Sequence, residues 1–128
     1  RFLAPQSMIA EVKAYCSEHG QEVPETPAQI AAVIYNSLAF CYGETVRELE
    51  EITGASYRKI HIVGGGANAD YLNRLTARYS GRTVYAGPTE ATAIGNLSAQ
   101  MLHAGCYADL QEARNGIFHS FEIKEYQP

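Results

Sequence analysis

Several things are missing from this 128-residue sequence, and each absence narrows what it can be. It has no cluster of lysine and arginine. The formal charge is −4, which argues against nucleic acid, whose partners usually carry basic patches. No apolar run approaches the roughly 18 residues of a membrane-spanning helix. No basic start followed by an apolar run and a small-residue cleavage site marks a signal peptide. The opening Arg-Phe-Leu-Ala-Pro lacks an initiating methionine, so we expect a piece cut from a longer polypeptide. Cysteine is scarce: Cys16, Cys41 and Cys106 are far apart and odd in number. No CxxC and no Cys/His pair at ligand spacing occurs, so no metal site is expected within the chain. Three unpaired thiols suit a reducing, cytoplasmic setting, each expected as a small buried residue. No Ser, His and Asp fall in an order that would support hydrolysis. His61 reads as a packed or edge strand residue, and His19, His103 and His119 as helix-end partners of last-turn carbonyls. Repeats and low-complexity segments are absent.

What is present is enough apolar material, 46% of residues, for the core of one domain. Pro5 opens an expected helix over 5–19, with Met8, Ile9, Val12 and Cys16 at helical spacing and Gly20 as its stop. After a linker with two prolines, Thr26, Pro27 and Gln29 form a capping-box signature. The helix they start runs to Gly54, about seven turns, with apolar residues on more than one side and Gly43 inside it as a bend or close approach. A β-branched strand is expected over 59–63. A helix follows over 68–79, with Tyr71, Leu72 and Leu75 inward and Gly81 as its end. A second strand over 82–86 leads to a helix opened by Pro88, with Ala91, Ile94, Leu97 and Met101 on one face. Asp109 caps a short last helix through Ile117, and the tail FEIKEYQP reads as extended. Strand, helix, strand predicts a parallel pair with a crossover helix. Two strands make too small a sheet, so partners are expected from residues before Arg1 or from another chain.

The chemistry-bearing feature is HIVGGGANAD, a strand, three glycines and a helix. Amides at a helix start lack partners and lie at the positive end of its dipole, so they suit a phosphate. Glycine also allows close backbone approach. The same three residues can instead serve only a tight strand-to-helix turn. A Walker A loop is excluded because no lysine follows. A dinucleotide fingerprint fits in part, through Gly64, Gly66 and Ala69. Its ribose-binding acid, however, belongs at the end of the second strand, where Ala86 and Gly87 stand. Glu90 falls just inside the next helix, complementing its dipole.

The longer segment IHIVGGGANADYLNRLTARYSGRTVYAGPTEATAIGNLSAQMLHAG resembles the C-terminal part of the FGGY family of carbohydrate kinases, with GPTEATAIGN its most specific stretch. The likeness continues through DLQEARNGIFHSF and EYQP, and upstream through MIAEVKAYCSEHGQEVPET and NSLAF. It implies an α/β fold: the C-terminal part of an actin-like, ribonuclease H-like ATPase domain, helix-rich, with a small parallel strand pair and an incomplete sheet. It implies a parent enzyme using ATP and Mg²⁺ to phosphorylate a small ketose, with no nucleic-acid or membrane partner. Residues 1–128 are then the end of the nucleotide-side domain. The family's glycine turn contacts nucleotide and maps onto Gly64, Gly65 and Gly66, Gly65 first. Some members place an Asn directly after the turn, at the position of Ala69. Here Asn68 stands one residue earlier, as a nucleotide contact or a helix cap. The family's catalytic aspartate and its magnesium ligands match nothing in this chain. Asp70 and Asp109 read as helix-start acids. The small residues Ala91, Ala93 and Gly95 would let their helix lie close to the sheet. A piece of this kind is expected to expose a strand edge and to self-associate. A small interaction module without enzymatic role is the other class the sequence allows.

Overall fold

The computed structural model describes residues 1–128 as two compact units, Arg1–Leu38 and Ala39–Pro128. In the first, helix α1 spans Met8–Glu18 and is capped by Ser7, whose hydroxyl accepts the Ala10 amide. The cap lies two residues beyond Pro5, which therefore precedes the helix instead of opening it. Val12 and Cys16 are buried, whereas Met8 and Ile9 face out. The His19 ring Nδ1 reaches the Tyr15 carbonyl at 2.8 Å, the last-turn partner expected of it. Helix α2, Pro27–Thr53, starts at a reciprocal capping box. The Thr26 amide donates to Gln29 Oε1 at 2.9 Å, and the Gln29 amide donates to Thr26 Oγ1 at 3.2 Å.

The second unit holds the rest of α2 and everything after it. Strand β1 is Lys59–Ile62, a 3₁₀ turn covers Gly64–Asn68, and helix α3 is Asp70–Ser80. Strand β2 is Thr83–Ala86, helices α4 and α5 are Ala91–His103 and Leu110–Ser120, and strand β3 is Lys124–Tyr126. The sheet has the order β1-β2-β3. β1 and β2 are parallel, with Ile60 opposite Val84 and Ile62 opposite Ala86. β3 is antiparallel to β2, with Tyr126 opposite Val84. The expected parallel pair is thus present, and its third strand comes from the chain's own tail, not from residues before Arg1 or another chain. The alternation of strand side chains puts Ile60, Ile62, Val84, Ala86, Lys124 and Tyr126 on one face, where α3 packs. Lys59, His61 and Tyr85 lie on the other. There His61 stacks on Tyr85 at 5.4 Å and Phe118 of α5 meets the Tyr85 ring edge-on.

Gly43 is a close approach, not a bend. A Cβ built there would stand 2.9 Å from the Tyr79 carbonyl oxygen of α3. Further along α2, Glu50 accepts the Tyr57 amide at 2.8 Å, and both its oxygens lie 3.0 Å from Arg82 Nη2 at the entry to β2. The amide of Tyr57 first, and then Arg82, hold the Glu50 carboxyl below the ordinary range. The expected burial along α2 is met at Ile30, Ala39 and Gly43 only, and Ser37, Leu38, Phe40 and Cys41 in its middle are exposed. Thr45, Leu49 and Ile52 are exposed, Ile52 at 81%, because a sheet of three short strands has no surface left to cover them. Tyr71 is likewise outward and half-exposed, whereas Leu75 is buried. Of the three thiols only Cys16 is buried, and Cys41 and Cys106 are exposed. α4 buries no residue, and Ala93 and Gly95 face solvent with open space around Gly95. The small residues of α4 therefore do not seat it against the sheet, and its packing partner is α5. No helix is long and apolar enough to cross a membrane.

Candidate functional site: the glycine turn at the strand ends

β1 and β2 run in the same direction and their C-terminal ends lie side by side. In open α/β sheets this is where ligands bind, in the crevice beyond the carboxyl ends of the strands. The chain leaves β1 through Val63, which is extended, and enters the 3₁₀ turn at Gly64 with φ +74°. That left-handed conformation costs glycine nothing and most other residues a good deal. The turn is anchored at three places. Gly64 donates its amide to the Pro88 carbonyl at 3.0 Å, and Gly87 donates to the Ile62 carbonyl at 2.8 Å. At the far end, Ala69 donates to the Gly66 carbonyl at 3.1 Å. Beneath the turn, the fully buried Asn73 donates its side-chain amide to the Ala67 carbonyl at 3.0 Å.

All four sequence-predicted residues lie together on this one turn. Gly64 is half-buried, and Gly65, Gly66 and Asn68 are exposed. A Cβ at Gly65 would meet no heavy atom within 4 Å, and at Gly66 only the Ile62 side chain at 3.7 Å. Outside the turn's own helical bonds, only Gly64 and Ala69 of its amides find backbone acceptors. The Gly65 amide is left to a partner from outside. Asn68 is not a helix cap: α3 begins after Ala69 with no side-chain cap bond. The 3₁₀ turn inserted between the glycines and α3 displaces Asn68 from that position. Its Oδ1 instead accepts the Thr89 hydroxyl at 3.4 Å, which ties the turn to the loop after β2. Glu90 occupies the position before α4 without a capping bond.

The two acids near helix starts are both engaged. Asp109 Oδ1 accepts the Glu112 amide at 2.8 Å, as a cap should. Asp70 Oδ1 accepts the Tyr126 hydroxyl at 2.5 Å with the Lys124 ammonium 3.6 Å away, and its Oδ2 accepts from Arg74 at 2.8 Å. The hydroxyl of Tyr126 first, then Arg74, hold the Asp70 carboxyl down at about 2. The same contact, after burial, raises the Tyr126 phenol. An acid so weakly basic, with both oxygens occupied, is unsuited to taking a proton near neutral pH. No group of three or more His, Cys, Asp or Glu is placed to hold a metal ion. Sequence reasoning missed the surroundings of the turn: Gly87, Thr89, Lys124 and Tyr126. No local signal marks them, because they reach the turn from 20 residues away or more.

The helix-rich architecture with its small, unclosed three-stranded sheet is that of the actin-like, ribonuclease H-like ATPase class. The chain belongs to the FGGY family of carbohydrate kinases, whose C-terminal domain matches residues 1–104. Over all 128 residues it is 48% identical to the rhamnulokinase of Bacillus subtilis (strain 168), covering 26% of that protein. Over 126 residues it is 44% identical to the rhamnulokinase of Oceanobacillus iheyensis, covering 98% of this chain and 27% of that one. The rhamnulokinase of Enterococcus faecalis is 48% identical over 130 residues, 99% of this chain and 26% of its own length. The chain thus spans about a quarter of the length of the curated relatives it matches.

Proposed function

We propose that this chain is the C-terminal portion of the nucleotide-side domain of a cytoplasmic, ATP-dependent sugar kinase that transfers the γ-phosphate of ATP to a hydroxyl of L-rhamnulose. The family match and the relatives' names support the reaction class, and the names alone favour L-rhamnulose over L-fuculose or xylulose. The observation that carries the role of this segment is the glycine turn. It is open at Gly65 and Gly66, unpartnered at the Gly65 amide, and sited beyond the C-terminal ends of two parallel strands. Gly64, Gly65 and Gly66 then line the phosphate side of the nucleotide, where fixed amide dipoles favour anionic oxygens. Asn68 offers its amide from the rim of the same turn.

Phosphoryl transfer of this kind depends mostly on alignment and charge stabilisation. Mg²⁺ bound with the nucleotide supplies charge neutralisation, and its protein ligands lie outside this chain. The base that accepts the sugar proton also lies outside it, since Asp70 and Asp109 are committed to structural bonds. The segment's contribution is one rigid wall of the nucleotide cleft.

The test is Gly65→Leu in the full-length kinase. Because nothing within the chain stands near that position, the variant should fold as the parent does. We expect the Michaelis constant for ATP to rise at least about tenfold, the worth of roughly 1.4 kcal/mol of lost binding, with that for the sugar nearly unchanged. An unaltered ATP constant in a folded variant refutes the nucleotide role. Turnover measured on L-rhamnulose, L-fuculose and xylulose in parallel decides the sugar.

A further inference from the structure

We propose that the C-terminal tail is a positioning element for the glycine turn, with Tyr126 as the residue that fixes its exit and the Glu122 backbone as the part that fixes its entry. This rests on the nucleotide reading of the turn given above.

The tail passes both ends of the turn. At the entry, the Glu122 carbonyl lies so close to Gly87 that a Cβ there would stand 2.6 Å from it, and Gly87 has φ +129°. Gly87 donates to the Ile62 carbonyl, and its neighbour Pro88 accepts the Gly64 amide. The tail thus presses on the loop that orients the first glycine. At the exit, β3 carries Tyr126 and Lys124 on the sheet face where α3 packs. Tyr126 donates to Asp70, the first residue of α3, and Lys124 lies 3.6 Å from the same oxygen. Asn73, whose amide holds Ala67 inside the turn, lies beside the Tyr126 hydroxyl as well. The exit of the bend is therefore tied to the strap directly through Asp70, and the strap packs against Gly87 in the loop whose Pro88 carbonyl holds the entry. A bend with three glycines has little stiffness of its own, since glycine restricts the backbone least. The donors of a phosphate cradle act only when held in place before the ligand arrives. The tail supplies that rigidity here. Tyr126 touches no reacting atom and acts through Asp70.

The experiment uses the full-length kinase with Tyr126→Phe, which keeps the ring and removes only the hydroxyl. Gly87→Ala, which pushes the tail away at the entry, is the companion. Steady-state kinetics are read together with hydrogen exchange of the peptide covering residues 64–70. We expect Tyr126→Phe to raise the Michaelis constant for ATP about threefold to tenfold, with that for the sugar unchanged, and to speed exchange across the turn. Saturating ATP should restore slow exchange there. If exchange rises only in residues 122–128 and the ATP constant stays within twofold of the parent, the tail is a passive edge strand and the inference falls. Should Tyr126→Phe not fold, Gly87→Ala is judged by the same two readouts. If Gly65→Leu raises the ATP constant and neither tail variant does, the turn still binds nucleotide and the tail does not position it. If Gly65→Leu leaves the ATP constant unchanged, the nucleotide reading falls, and the positioning role with it.

Discussion

Asp70 illustrates how one residue can be read correctly in kind and incompletely in purpose. An acid at the first position of a helix is favourable for dipole reasons alone. In the structure it also receives Tyr126, Arg74 and Lys124, and its carboxyl is held at about 2, against about 3.9 in an unfolded chain. A carboxylate depressed in the folded state adds stability above its unfolded value, and that contribution disappears as pH falls through about 2. The attachment of the tail should therefore be intact at pH 5 and loosen below about pH 4. An NMR titration of the Asp70 side-chain carbon should give a midpoint near 2, and Asp70→Asn should remove the acid sensitivity of the tail's amide signals. A midpoint near 4 would mean the Tyr126 bond does not form in solution. At this scale the sequence is most legible where partners are near neighbours. The Thr26 and Gln29 box and the Asp109 cap each join residues three apart. The Asp70 and Tyr126 pair joins residues 56 apart, and no local pattern announces it.

Elements were legible where periodicity and stop signals agree. Gly81 ends α3 in the left-handed conformation at φ +66°, as a C-terminal glycine should. What periodicity could not tell was which apolar faces would find a cover. α2 repeats its apolar residues evenly, yet only the part around Ala39 and Gly43 in the second unit is buried. Gly43 decides where α2 and α3 meet. Replacing it by Ala would gain about 1 kcal/mol of helix propensity. It would also force a methyl group to 2.9 Å from a backbone oxygen, a strain of about 1–3 kcal/mol. Backbone cannot swing aside as a flexible side chain can, so we expect a net loss near 1 kcal/mol, read as a lower urea midpoint. A variant as stable as the parent would mean the two helices are not in such close contact. β3 was legible only as an extended tail: three residues are too few to show a strand period, and the pairing with β2 is what makes it a member of the sheet.

For the whole molecule, the parallel strand pair predicted from βαβ connectivity is present, and the need for further strands was met only in part. β2 is central, with Val84 fully buried, while the outer edge of β1 has no partner. An unpaired edge on a unit that also exposes Leu49, Ile52 and Val63 invites association with another chain. The 128-residue chain alone should sediment as a mixture whose average mass rises with concentration. A single monomeric species at high concentration would contradict this. The family resemblance carried the functional reading further than the fold could, because the α/β scaffold hosts many chemistries and only the turn and its surroundings narrow them.

The way the tail closes the sheet also bears on what a broken backbone would do. The connection over residues 104–109 is exposed for most of its length and helix-free up to Asp109, an easy target for a protease. Yet the piece beyond it is laced to β2 through three paired residues and to α3 through the phenol of Tyr126. A nick there would separate two polypeptides on a denaturing gel while leaving one particle in native buffer, so covalent continuity and structural integrity are independent at that point.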